Sequence, residues 1–122
     1  MKKKIYFLGT CSTSAGIIKE TGIRPGLFEM QDIKTEKITV AQLDEMKKLS
    51  GSYESLFSRR AMKYKELNLK NHTLSEEDYR RYILEEYTFL KRPVVIIGNQ
   101  IFAGSEKKTI AALKNAVEKI KG

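Results

Sequence analysis

The chain is poor in the residues on which much directed chemistry depends. Of its 122 residues one is cysteine, one histidine, two are proline and none is tryptophan. One cysteine excludes an internal disulfide, and a structural zinc site, which needs about four ligands, is not supplied. With His72 the only histidine, a His-based metal centre and a Ser-His-Asp triad are equally short of parts. Long apolar runs are missing as well. The start Met1–Lys4 is basic, but the run Ile5–Leu8 is far too short for the hydrophobic region of a secretory leader. No segment approaches the roughly 18 apolar residues of a membrane span. These absences lead us to expect a protein of a reducing compartment, the cytoplasm, with no membrane segment. No internal repeat, linker or low-complexity tract is present, and the length suits one domain over residues 1–122.

Positive charge is what the chain has in excess. Twenty-three Lys and Arg against fifteen Asp and Glu give a net charge of +8. Such a balance fits an anionic substrate, an acidic protein partner or nucleic acid, and equally a lysine-rich solvated surface. Most of the lysines are scattered or stand near glutamates on helices, as Lys114, Lys119 and Lys121 do around Glu118, which favours the solvated surface. The aromatic residues Tyr79, Tyr82, Tyr87 and Phe89, with Ile83 and Leu90, read as a core face. No basic residues interleave with them as on a nucleic-acid-binding sheet, so no direct nucleic acid binding is expected.

Along the chain, Lys4–Gly9 has the aromatic and β-branched content of a short buried strand. Thr10-Cys11-Ser12-Thr13-Ser14 follows, small hydroxyl residues that suit a helix start. Ala15, Ile17, Ile18 and Thr21 carry that helix to Gly22. Leu27–Ile33 reads as a second strand. Thr39 caps a helix through Leu49 with Val40, Leu43, Met46 and Leu49 on one face. Tyr53–Leu69 holds one or two short helices. Leu74-Ser75-Glu76-Glu77-Asp78 opens a further helix to about Glu86, its acidic first turn complementing the helix dipole. Val94–Ile97 and Ile101–Ala103 form a hairpin around Gly98-Asn99-Gln100, and a last helix spans about Ser105–Lys119. The order is β-α-β, a helical segment inserted over about residues 39–88, then β-β-α. This α/β order is that of a thioredoxin-like core.

The pattern places Cys11 at a strand-to-helix junction. A thiol acts as a nucleophile only as thiolate, and a helix N-terminus lowers its pKa through free backbone N–H groups and the positive end of the dipole. From placement alone, a reactive cysteine and a small buried core residue are both open readings. A second feature is Leu90-Lys91-Arg92-Pro93, an Arg-Pro pair directly before a buried strand, where a missing N–H need not join the ladder.

With these features in order, the chain resembles the arsenate reductase/Spx family of thioredoxin-fold proteins. The resemblance rests on Cys11-Ser12-Thr13-Ser14 after the first strand, Ser58-Arg59-Arg60 before Tyr64-Lys65-Glu66-Leu67, the Leu74-Ser75 helix start, Leu90-Lys91-Arg92-Pro93, and Gly104 at the close of the hairpin. It implies that Cys11 is the catalytic thiol, with Arg60 and Arg92 as oxyanion ligands and Ser14 as a further substrate-binding residue. Arg59 takes the place of Arg60 if the alignment slips by one. It also implies a cis peptide bond at Pro93 beside the site. The reductases of the family attack arsenate with the thiolate, and glutathione and glutaredoxin resolve the adduct; no bound cofactor is implied.

Two departures bear on this. Where the arsenate reductases carry an arginine directly after Cys-x-x-Ser this chain has Ala15, and where they carry one after the hairpin it has Ala103-Gly104-Ser105. Arsenate binding is expected to weaken accordingly. The Spx branch instead binds RNA polymerase, often with a Cys-x-x-Cys switch, but Ser14 stands at the second position here. A polymerase-binding regulator without an internal disulfide switch, docking through its basic helical insert, is therefore the alternative reading. A monothiol of this kind can still be glutathionylated.

Overall fold

The computed structural model describes residues 1–121. In chain order the elements are β1 (Lys3–Phe7), α1 (Ser12–Thr21), β2 (Glu29–Asp32), α2 (Val40–Ser50), α3 (Met62–Glu66), α4 (Glu76–Glu85), β3 (Val94–Ile97), β4 (Gln100–Ala103) and α5 (Lys107–Lys121). Short 3-10 turns stand at Glu54–Leu56, Leu69–Asn71 and Tyr87–Phe89. The chain divides into two compact units, one of Met1–Glu36 with the chain from Arg92 onward, the other Lys37–Lys91.

The first unit is built on a four-stranded sheet in the order β2-β1-β3-β4. β1 runs parallel to β2, with Lys4 opposite Glu29 and Phe7 opposite Asp32, and antiparallel to β3, with Ile5 opposite Val95 and Tyr6 opposite Val94. β3 and β4 form the expected hairpin, Val94 opposite Ala103. This is the β-α-β … β-β-α order of the thioredoxin-like core. The period of two in a strand sends Ile5, Val95 and Ile97 to one face. There they join Ile17 of α1, Leu113 and Val117 of α5, and Ile23 and Phe28 in one core cluster. The opposite face carries Lys4, Tyr6, Gln31, Val94 and Ile96, each at most 6 % exposed. Being buried on both faces, β3 reads Val-Val-Ile-Ile without alternation. The buried ammonium of Lys4 is paired with Glu29 of β2 at 2.7 Å and lies 5.1 Å from the centre of the Tyr6 ring.

Local signals set most helix ends. α1 ends at Gly22, whose φ of 78° is left-handed, and the Gly22 N–H donates to the Ile18 carbonyl. The second strand is shorter than its apolar content suggested, because the chain from Arg24 to Phe28 turns back on itself, with the Leu27 and Phe28 N–H groups both donating to the Arg24 carbonyl. α5 begins at Lys107 rather than Ser105 and runs to Lys121, at the edge of what is described.

In the second unit, α2 and α4 both open with capping boxes, Thr39 with Gln42 and Ser75 with Asp78. Leu43 and Met46 of α2 are buried as expected, while Val40 is 49 % exposed because it sits in the first turn just past the cap. The core here is aromatic. Phe57 stacks on Phe89 with ring centres 4.9 Å apart and meets Tyr79 edge-on at 4.9 Å. Asp44 accepts from Arg80 Nε at 3.1 Å and from the Tyr53 hydroxyl at 2.7 Å, and these two partners hold its carboxyl below the usual carboxylate range.

Leu113 is 2 % exposed within the first unit's core, so Leu113→Ala should cost about 2–5 kcal/mol through lost burial and the cavity left behind. Urea unfolding of the variant beside the parent measures this, and a loss well under 1 kcal/mol would mean that the site collapses around the smaller side chain, roughly as solvent-exposed positions do.

Candidate functional site

β1 ends at Phe7, and the chain leaves the sheet through a turn. The Cys11 N–H donates to the Leu8 carbonyl at 2.9 Å, making Gly9 and Thr10 the two central residues. Cys11 then stands at the N-cap of α1, with extended φ and ψ of −93° and 116°, while its carbonyl accepts from the Ala15 N–H at 3.1 Å. A hydroxyl residue was expected at the cap. Instead no side-chain oxygen caps α1. The orphan N–H groups of the first turn therefore lie beside Cys11, the N-cap residue, with no side-chain cap.

The half-buried thiol is subject to opposed effects. Partial burial pushes it up, since a thiolate loses hydration. Against this act the Ser14 N–H, the Ser14 hydroxyl, the Thr13 N–H and the Arg92 guanidinium, in that order, each of which favours the thiolate. The balance lies below the ordinary thiol value, so the thiolate is favoured. Ser14 is fully buried, and its Oγ makes no hydrogen bond of regular geometry among the described residues. A buried hydroxyl without a good partner costs stability unless a charge uses it. The Ser14 hydroxyl is among the groups that lower the Cys11 thiol pKa.

Arg92 directly precedes β3 and is half-buried, and the Arg92–Pro93 peptide bond is cis. Pro93 is buried, and its carbonyl accepts from the Gly104 N–H at 2.9 Å, which ties the start of β3 to the end of β4. Cys11, Ser14, Arg92 and Pro93 therefore all belong to the first unit. Arg60 belongs to the second, where it is exposed and its N–H donates to Ser58 Oγ at 3.3 Å. The neighbouring Arg59 is engaged elsewhere, donating to Glu54 at 2.9 Å and to the Tyr79 hydroxyl at 3.2 Å. His72 is exposed in its loop.

One residue near the site had escaped the sequence. Asp32, at the end of β2, accepts from the Gly9 N–H through Oδ2 at 3.2 Å. The signal was present as a glycine directly after one strand and an aspartate closing the next, but only the parallel register brings the two together. Among the described residues no group of three or more His, Cys, Asp or Glu could hold a metal ion, and no helix is long and apolar enough to cross a membrane.

A depressed thiol pKa has a definite sign in both reactivity and stability. Alkylation of Cys11 by iodoacetamide should reach half its limiting rate below the pH at which a free thiol does, about 8.5. The thiolate's contribution to folding is fully present above the unfolded thiol pKa and is lost as pH falls through the folded one. Ser14→Ala should move the alkylation midpoint up and slow the reaction near neutrality by roughly threefold to tenfold, for a hydrogen bond of about 0.5–1.5 kcal/mol. Its thermal stability at a pH well below its alkylation midpoint, where the thiol is protonated, should not fall. A pH–rate profile unchanged by Ser14→Ala would show that the hydroxyl does not serve the sulfur.

Comparison with known proteins places this architecture. The ArsC family matches residues 6–113. The chain is 27% identical over 104 residues to the uncharacterized protein YfgD of Escherichia coli (strain K12), covering 83% of this chain and 87% of that one. Among solved structures it is similar to an arsenate reductase from Vibrio cholerae, with a TM-score of 0.72 at 21% identity, covering 93% of this chain and 98% of that one. An ArsC family related protein from Bacteroides fragilis is similar at a TM-score of 0.72 and 24% identity, with the same 93% and 98% coverage. The structural matches share the thioredoxin-like fold seen here. By sequence and by fold, this chain belongs to the ArsC family.

Proposed function

We propose that the protein is a thiol oxidoreductase of the arsenate reductase type, with Cys11 as its nucleophile. One observation carries this reading: Cys11 stands at the N-cap of α1, where the first-turn N–H groups, with Ser14 and Arg92, favour its thiolate. In the proposed reaction the thiolate attacks arsenic, and one arsenate oxygen takes up protons and leaves as water. Arg92 holds the remaining oxygens through its forked donors. Arg60 is assigned the second oxyanion contact by the family resemblance, in preference to Arg59, which is bound to Glu54 and Tyr79. With Cys11 the chain's only cysteine, the adduct must be resolved from outside. A glutathione thiolate attacks the Cys11 sulfur, the S–As bond breaks, and its electron pair leaves with arsenic as arsenite. A second thiol, from glutathione or glutaredoxin, then cleaves the mixed disulfide and regenerates Cys11. The cytoplasm, where glutathione is abundant and reduced, is the compartment this chemistry requires.

A coupled assay with arsenate, glutathione, glutaredoxin and glutathione reductase tests the reading through NADPH consumption. The parent should turn over and Cys11→Ser should not. Arg92→Lys should weaken arsenate protection of the thiol about tenfold, as expected for replacing a forked charged contact by a single one. Full turnover by Cys11→Ser would refute the mechanism, and no turnover by the parent would retire arsenate as substrate.

A second reading, a regulator that docks on RNA polymerase, has one observation in its favour. α3 buries none of its residues, and Met62 and Leu67 are 78% and 46% exposed among Lys63, Lys65 and Lys70. It predicts that Cys11→Ser still retains purified polymerase in a pull-down while Met62→Glu loses it. No polymerase retained by the parent under reducing or oxidising conditions would end that reading.

A further inference from the structure

We infer that Asp32 is a positioning residue for Cys11, acting through the backbone of Gly9; the inference rests on the reading of Cys11 as a thiolate nucleophile. The Asp32 main chain is anchored by the β1–β2 ladder, where it stands opposite Phe7, and the next bond, Ile33 N–H to the Phe7 carbonyl, is 2.9 Å. Its side chain is anchored as well. Oδ1 accepts from the Lys34 N–H at 3.0 Å. The carboxylate is thus held at a fixed place, and its other oxygen, Oδ2, takes the Gly9 N–H at 3.2 Å.

Gly9 is the first central residue of the turn that ends at Cys11. Its backbone is not left-handed, so conformation alone does not demand glycine there. Space does. A Cβ at position 9 would stand 2.5 Å from Asp32 Oδ2, closer than a carbon and an oxygen can approach. The glycine and the aspartate therefore act as a pair, the missing side chain of one making room for the carboxylate of the other. The turn they hold fixes how the Cα–Cβ bond of Cys11 is aimed relative to the Thr13 and Ser14 N–H groups. Released, the turn relaxes, and the sulfur moves off those donors.

The sign of the effect separates positioning from simple charge. An anion near a thiolate disfavours it, so removing the Asp32 charge would by electrostatics alone shift alkylation to lower pH. Positioning predicts the reverse. The experiment is the pH–rate profile of iodoacetamide alkylation for the full-length parent, Asp32→Ala, Asp32→Asn and Gly9→Ala, with circular dichroism to confirm folding. Asp32→Ala should move the midpoint up and slow the reaction near neutrality about threefold or more, the loss of one of several hydrogen-bonded constraints. Asp32→Asn, with one acceptor for two N–H groups, should fall between parent and alanine variant. Gly9→Ala changes no charge and should follow Asp32→Ala, because its methyl displaces the carboxylate. A midpoint moved down in both Asp32 variants, or one unmoved in Asp32→Ala and Gly9→Ala, would overturn the inference. A parent thiol titrating like free cysteine would overturn both this inference and the reading of Cys11. Failure of arsenate turnover alone would leave the alkylation profiles, and the inference, standing.

Discussion

β1 is hydrogen-bonded along both edges, parallel to β2 and antiparallel to β3, and this double pairing decides where chemistry can occur. Because β1 and β2 run the same way, their C-terminal ends lie together, Phe7 opposite Asp32. Because β3 runs against them, its N-terminal end arrives at the same edge, Val94 opposite Tyr6. The turn to Cys11, the carboxylate of Asp32 and the Arg92-Pro93 pair are the chain's exits and entrances at that one end of the sheet. Arg92 thus acts on a sulfur more than eighty positions away in sequence as a consequence of strand direction. Ligand sites at the carboxyl ends of strands are the general outcome of open α/β sheets.

At that end the physics is a contest between desolvation and donors. Half-burying a thiol opposes its ionisation, and a serine or aspartate at the N-cap would have met the same helix donors with an oxygen instead. For the sulfur in that position the N–H groups of Thr13 and Ser14, a buried hydroxyl and a guanidinium favour the thiolate, and their effect prevails. The buried Ser14 is the most telling of these, because a hydroxyl at 0 % exposure without a regular partner is otherwise a pure cost. A site with one sulfur can form an adduct but cannot complete a two-electron reduction by itself.

The second unit stands on different forces. Its aromatic cluster around Phe57 and its two capping boxes rely on contacts near in sequence or in the same unit. Much of the chain's positive charge there is solvated, as on α3, but not all: Arg80 is committed to Asp44, and Arg59 to Glu54 and Tyr79. Counting Lys and Arg overstates the cation available to a ligand for this reason.

Sequence alone determined what depends on local chemistry. The helix starts at Thr39 and Ser75 are written in side chains that bond to amides three residues on, and the ends at Gly22 and Gly51 in residues free to turn left-handed. The unbroken Val94–Ile97 run announced a strand buried on two faces, and Cys11 after a strand and before a helix announced a thiol at a helix N-terminus. Other features needed the tertiary structure. That Cys11 stands at the N-cap in place of a hydroxyl residue depends on how the turn from Leu8 closes, which the neighbouring hydroxyl residues did not reveal. Burial of Lys4 depends on Glu29 standing opposite it across the parallel ladder. The pairing of Gly9 with Asp32 depends on that same register, since nothing in either residue's own neighbourhood calls for the other. Periodicity, caps and turns are short-range properties that a sequence carries with it, whereas strand register is settled only when the sheet closes, and it is register that brings the carboxylate of Asp32 to the turn before Cys11.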